Sequence, residues 1–274
     1  MLGKNMEVNG SVTKFEAFGF RKAPVFGVGV SVLTMDQAVA AIIDAATKRG
    51  SVAVSALAVH GLMTAVQDPD MRLAVEQIDI VTPDGQPIRW ALNLLHGVGL
   101  AERVSGPYLM RHLCARAAAE GIPIYLFGST EETCAKLAER LQETYPGLII
   151  ADIQPDRFRE ATPEEDEADV RRMNKSGAGL IFVGRGCPRQ EIWVAAHRGR
   201  VNAAMIAVGA AFDFVAGSIT HAPAWMQRAG LEWLWRVSSE PRRLWKRYLT
   251  TNTAFLVRLA MALLRSRNAG TGRS

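Results

Sequence analysis

Through most of the chain, short apolar runs alternate with longer stretches in which apolar positions recur every three to four residues. That alternation is the mark of strands joined by crossover helices in a parallel sheet. Residues 25–32 read as a strand or hairpin, 51–57, 79–81, 124–127, 148–152, 180–183 and 203–208 as strands. Helical periodicity covers 35–48, with Thr34 as N-cap, and then 60–66, 88–96, 107–120, 131–145, 164–176 and 189–198. The acidic start of 164–176 suits the positive end of a helix dipole. Asp68-Pro69-Asp70 has the form of a metal-binding Asp-x-Asp, but an N-cap, a proline at the first helical position and a first-turn carboxylate explain it as a helix start.

The pattern changes near the C-terminus. From Arg243 onward Lys and Arg recur at 243, 247, 258 and 265, on one face of a helix. Trp245, Tyr248, Leu249, Phe255, Leu256, Leu259 and Leu263 fall on the other side. The longest apolar run, Ala254 to Leu264, has eleven residues and includes Arg258. A span needs about 20 apolar residues, so an amphipathic helix lying on a membrane surface is expected instead. A solvated helix packed on the body and a nucleic-acid-binding tail are the alternatives.

Charge sharpens that expectation. The whole chain carries +5, yet residues 227–274 hold ten Lys and Arg against two acidic residues, so everything before them is slightly acidic. Four of the six tryptophans, Trp225, Trp233, Trp235 and Trp245, cluster in the same region. Basic charge interleaved with Trp suits an anionic surface over an apolar interior; no nucleic-acid recognition motif accompanies it, and no nucleic-acid partner is expected. The 274 residues suffice for one large α/β domain with an appendage. We read 1–22 as a loose extension without a signal-peptide core, 23–222 as the core and 223–274 as a basic appendage. Three widely spaced cysteines form neither a disulfide framework nor a metal cluster, so a reducing compartment is favoured.

Candidate chemistry sits in the loops that leave the strands, where open parallel sheets bind ligands. Asp84, between Pro83 and Gly85 at a strand end, is the best general-base candidate; the competing reading is an Asp that stabilises its own turn. Gly128-Ser129 and the loop from Gly184 through Gly186 to Glu191 stand between strand and helix, where backbone amides favour phosphate. Neither is a Walker loop or a dinucleotide fingerprint, so nicotinamide hydride transfer is disfavoured. Arg103 beside Gly106-Pro107 is a further place to hold an anion.

Taken in order, Thr82-Pro-Asp-Gly-Gln-Pro, Glu102-Arg-Val-Ser-Gly-Pro, Ile124-Tyr-Leu-Phe-Gly-Ser, Val183-Gly-Arg-Gly-Cys-Pro-Arg-Gln-Glu, Val208-Gly-Ala-Ala-Phe-Asp-Phe-Val-Ala-Gly and Gly230-Leu-Glu-Trp-Leu-Trp-Arg followed by Glu240-Pro-Arg-Arg-Leu resemble the WecG/TagA/CpsF glycosyltransferases over residues 24–256. The resemblance implies a Rossmann-like core with a C-terminal membrane-associating appendage at the cytoplasmic face of the bacterial inner membrane. It implies inverting transfer from a UDP-sugar to a polyprenyl-diphosphate-linked saccharide, with Asp84 as the base that deprotonates the acceptor. Thr82, Gly85, Arg103, Gly106, Gly128, Ser129, Gly184, Gly186, Gln190 and Glu191 would bind substrate. Arg236 and Arg243 would meet the charge on the departing diphosphate in place of a metal, with Lys246 or Arg247 as a third cation. No cofactor is expected. Many relatives carry Thr-x-Asn after the second strand, where this chain reads Leu57-Ala58-Val59-His60-Gly61; Ser55 or His60 is the available substitute, and the difference points to exopolysaccharide assembly. The alternative to an enzyme is a non-catalytic UDP-binding module docked on the membrane.

Overall fold

The computed structural model describes residues 19–239 and 241–271, without the side chains of 239, 243, 247 and 266–271. Most of the extension read over residues 1–22 therefore lies outside the described residues. The chain opens with a hairpin of β1 (Lys22–Val25) and β2 (Val28–Ser31), turned at Phe26 and Gly27. Both turn residues have positive φ (53° and 84°), as a two-residue type I′ turn requires. Then follow α1 (Met35–Thr47), β3 (Val52–Leu57), α2 (Val59–Gln67), α3 (Pro69–Gln77), β4 (Ile80–Pro83), α4 (Gln86–His96), α5 (Gly106–Glu120), β5 (Ile124–Gly128) and α6 (Glu131–Thr144). The second half holds β6 (Ile150–Gln154), α7 (Pro163–Ser176), β7 (Leu180–Gly184), α8 (Arg189–Ala196), β8 (Ala204–Ala207), α9 (Ala211–Val215), α10 (Ala224–Arg228), α11 (Glu232–Ser239) and α12 (Pro241–Thr271).

Strands β3 to β8 form one six-stranded sheet in the order β4-β3-β8-β7-β5-β6, parallel throughout. Helices cover both faces, which is why the inner strands are near-continuous apolar runs and not alternating ones. In β7, Ile181 and Val183 pack toward α2, α3, α4, α7 and α8, while Leu180 and Phe182 pack toward α1, α5, α6 and α9. The sequence elements are thus confirmed as an α/β fold with a parallel sheet. Asp68 caps α3, its Oδ1 accepting from the amides of Asp70 and Met71, so the Asp-x-Asp segment is a helix start and not a metal site.

Two crevices open at the carboxyl ends of the strands. The chain leaves β5 through α6 toward β6, and leaves β7 through α8 toward β8, on the opposite face and in the opposite direction. It likewise leaves β3 and β8 toward opposite faces. Partings of this kind are where open α/β sheets take ligands.

The tail folds back onto the sheet domain. Leu244, Phe255 and Leu259 of α12 are buried, and Phe255 meets Phe26 of the hairpin edge-on at 5.2 Å. Trp245, Leu249, Leu256, Val257, Met261 and Leu264 are exposed. The single apolar face expected from sequence is therefore divided: part of it serves the protein core, and part faces outward. Helical spacing on a free helix could not show this division, because it depends on where the hairpin and α2 lie. No helix among the described residues is long and apolar enough to cross a membrane.

Candidate active site

Asp84 follows β4 directly and is fixed by its backbone: its amide is bonded to the carbonyls of Thr82 at 2.9 Å and Leu57 at 3.3 Å. Its Oδ2 accepts from the amide of Gly106, the first residue of α5, at 3.2 Å. That approach needs a glycine. A Cβ on Gly106 would stand 3.1 Å from the carbonyl oxygen of Val208 and 3.4 Å from the Cβ of Ala56. Thr82 supports the same junction, its hydroxyl donating to the carbonyl of Val104 at 3.0 Å from a fully buried position. Gly85, with φ of 103°, turns the chain from Asp84 into α4.

Burial pushes the Asp84 carboxyl up to about 6; Arg103, the Gly106 amide and Arg236 oppose the rise and Glu232 adds to it. Arg103 and Glu232 form an ion pair at 2.6 Å, with side chains only 10% and 24% exposed, that joins the sheet domain to α11. Arg103 also donates to Gln227 at 3.2 Å, as does the Tyr108 hydroxyl, and Gln227 in turn donates to the carbonyl of Ala222. Gly230 packs against Trp90 and Gln86 of α4, where a Cβ would collide with the indole. Arg236 stands over the ring of Phe214, 5.1 Å from its centroid. The sequence motif that contains Glu232 marked this region, but nothing local could announce a partner 129 positions away.

Helices that start around this site share a property. α2, α4, α5, α8 and α9 begin at Ala58, Gly85, Ser105, Pro188 and Ala210, and none of these supplies a side-chain cap. By contrast α6 and α7, over β5 and β6, are capped by Thr130 and Thr162. At α5 the Asp84 carboxylate takes the Gly106 amide, whereas the starts of α2 and α4 leave amide donors and the positive dipole end to an incoming anion.

The glycine-rich loops pack closely on one another. Gly128 and Gly184 are register partners in β5 and β7, and a Cβ on Gly128 would fall 2.7 Å from the Gly184 carbonyl carbon. The amide of Ser129, at φ of 57°, donates to the carbonyl of Gly184 at 2.9 Å. Gly186 donates its amide to Gln190 Oε1 at 3.1 Å, and Gln190 Nε2 donates to Glu191 Oε1 at 2.8 Å. These contacts brace the crevice. Glu191, 1% exposed, also accepts from the Ser55 hydroxyl at 3.3 Å, and burial raises its carboxyl to about 7. Ser55 is thereby engaged below the site, and Leu57 is fully buried.

Of the remaining cations, Lys246 is exposed beside Trp245, its Nζ 5.6 Å from the ring centroid. The side chains of Arg243 and Arg247 lie outside those described. Arg185 and Arg189, in the same motif as Gln190, both pair with the buried Asp156. Among the described residues no group of three or more His, Cys, Asp or Glu is placed to hold a metal ion.

A half-buried carboxylate with raised basicity, presented among open helix starts with Arg103 and, from the C-terminal extension, Arg236 in its field, is an arrangement able to deprotonate a hydroxyl beside an anionic leaving group. The model of the WecG/TagA/CpsF glycosyl transferase family matches residues 23–269, nearly the whole chain, and the protein belongs to that family of glycosyltransferases of cell-surface polysaccharide synthesis, which bind a sugar donor and an acceptor.

Proposed function

We propose that the protein transfers a hexose or hexose derivative from a UDP-sugar to a polyprenyl-diphosphate-linked saccharide, with inversion at the anomeric carbon. Asp84 takes the proton of the acceptor hydroxyl as its oxygen bonds to the anomeric carbon, while the bond from that carbon to the β-phosphate oxygen breaks and UDP departs. The observation that carries this reading is the setting of Asp84: a carboxylate raised to about 6 is ionised at neutral pH yet more basic than an ordinary Asp.

The developing charge on UDP falls to fixed donors in this reading. The amides at the starts of α2 and α4 and the guanidinium of Arg236 are the described groups suited to it; Arg243 is assigned the same role from the family motif. The core and appendage act together, because the Arg103–Glu232 pair brings Arg236 toward Asp84. The outward stripe of α12, with Trp245 and Leu249 beside basic residues, is suited to seat the protein on the cytoplasmic face of an anionic membrane, where a polyprenyl-linked acceptor resides.

The test is a transfer assay with a panel of UDP-sugars and extracted polyprenyl-linked acceptors, read by product mass. Wild type is expected to form a product of inverted configuration, and Asp84→Asn to lose about 10²- to 10⁴-fold in rate while still binding UDP. UDP binding by wild type without transfer to any acceptor would make the protein a docked binding module instead.

A further inference from the structure

Residues 217–223 carry the chain from α9 to α10, and the appendage is fastened to this segment on both sides of one residue. Trp235 of α11 donates its indole N–H to the carbonyl of Thr220 at 3.2 Å, and Gln227 of α10 donates to the carbonyl of Ala222 at 2.8 Å. Between these two acceptors stands His221. Its imidazole stacks on Phe214 of α9, with ring centroids 4.7 Å apart and planes 26° apart, and meets Tyr108 of α5 at 5.6 Å. The same Phe214 ring carries Arg236 of α11. The segment begins at Gly217, which has φ of 78° and open space around it, so the chain can pivot there.

Neither Nδ1 nor Nε2 of His221 has a hydrogen-bond partner among the described residues, although both atoms are closed off from solvent. A neutral imidazole has one N–H and one acceptor nitrogen, so either tautomer hides two unpaired polar atoms. Hiding them costs free energy that water would return if the segment opened. The charged form fares worse. Arg111 faces the ring from α5 and Arg103 from the loop before it; the carboxylate in its field, Glu232 of α11, is already paired with Arg103. Burial above all, and then Arg111, hold the imidazole below its ordinary value, with Glu232 opposing them and Arg103 adding to them.

We propose that His221 is a proton-operated release for the C-terminal appendage: the neutral ring lets α10 and α11 dock, and a proton on it drives them from the sheet domain. Docked, the ring resists the proton; released, it regains the ordinary value of about 6.5. The docked state thus binds fewer protons, so docking is at full strength above about pH 6.5 and weakens as pH falls below it. Release draws Arg236 away from Asp84, whose carboxyl feels that guanidinium in the docked state. A phenyl ring in the same place would stack on Phe214 and Tyr108 with no polar atom to hide. His221 therefore weakens the joint it sits in, even before it is protonated.

Amide exchange in residues 224–239, taken relative to β5 and β7, reads the opening directly. The opening constant of wild type is expected to rise about tenfold between pH 7.5 and 5.5, the change that an imidazole titrating at about 6.5 only when released would impose. His221→Phe is expected to lower the opening constant at pH 7.5 and to abolish its dependence on pH. Asp84→Asn removes a carboxyl that titrates in the same range and should keep the tenfold rise. Wild-type exchange indifferent to pH, a rise that survives His221→Phe, or a rise lost in Asp84→Asn each overturns the proposal. Should His221→Phe fail to fold, His221→Gln carries the test: loss of the pH response supports the release, and a tenfold response in this variant overturns it. The readout needs neither donor nor acceptor, so it holds or fails independently of the transfer reading.

Discussion

The amide of Gly106 donates to Oδ2 of Asp84 at 3.2 Å, so the first turn of α5 is closed by a carboxylate from another loop and not by its own Ser105. The contact stabilises the ionised form of Asp84 and orients it. Adding one methyl at this position sets a Cβ against the Val208 carbonyl, a backbone atom at the end of β8 with little freedom to yield. Gly106→Ala is expected to cost on the order of 1 kcal/mol net, overpacking of about 1–3 kcal/mol being partly offset by the better helix propensity of Ala. As α5 shifts, the donated bond lengthens, and the acid limb of the transfer rate moves to higher pH. Thermal melting and a pH–rate profile on the same variant check both effects.

The carboxyl of Asp84 titrates near pH 6, so transfer should fall as pH drops through 6. The neighbours set opposite signs. Glu232→Gln removes a negative charge and lets the acid limb move to lower pH, whereas Arg103→Gln removes a positive charge and moves it up. Stability runs the other way from activity. Because the folded value lies above the ordinary Asp value of 3.8, the folded state binds more protons between about pH 4 and 6. The cost of keeping Asp84 charged thus grows through that window and is full above it. Asp84→Asn should therefore be more stable than wild type at pH 7, by on the order of 1 kcal/mol, with the difference gone below about pH 4. Melting temperatures of the two proteins at pH 4 and pH 7.5 decide it.

What the sequence revealed depended on the range of the forces involved. The strands and helices are local events, and apolar periodicity, Thr34 and the Asp68-Pro69 helix start located many of them closely. The turn carrying Asp84 was equally legible, since Pro83 and Gly85 punctuate it. The strand order and the pairing of Arg103 with Glu232 join distant segments and leave no periodic trace. The close packing of Gly128 on Gly184 and the internal hydrogen bond of Gly186 are likewise set by the register of β5 against β7, which no local pattern shows. The open helix starts, which the sequence shows only as missing caps at Ala58 and Gly85, are the features that suit an anion.

Arg103 and Glu232 are mostly buried, and breaking such a pair by removing one partner is costly, about 3–5 kcal/mol, because the other charge is stranded. That cost need not fall on the whole protein, since α11 can leave the sheet domain and return Glu232 to water. Arg103→Ala is therefore expected to raise amide exchange in residues 232–239 well above that of β5 or β7, while the global melting temperature falls only modestly. Transfer should drop with it, because Arg236 leaves the neighbourhood of Asp84. Exchange in 232–239 unchanged from wild type, in a variant that has lost activity, would assign Arg103 to substrate contact and not to holding the appendage.

The two sides of α12 make separable predictions. Phe255 is 1% exposed and rests on Phe26, so Phe255→Ala should cost about 3–5 kcal/mol and loosen the hairpin as well as the helix. Trp245, Leu249 and Leu256 are exposed, and replacing all three with Ser should leave melting within about 0.5 kcal/mol of wild type per site. The consequence should appear only at a membrane. Sedimentation with vesicles containing anionic lipid is expected to fall sharply in the triple variant and to be restored by no change of salt, since the lost contribution is apolar. Wild-type binding should weaken with salt, because the basic residues beside the stripe contribute a screened attraction. Equal sedimentation of the triple variant and wild type would show that this stripe does not seat the protein on lipid, and would leave the apolar face of α12 to another partner.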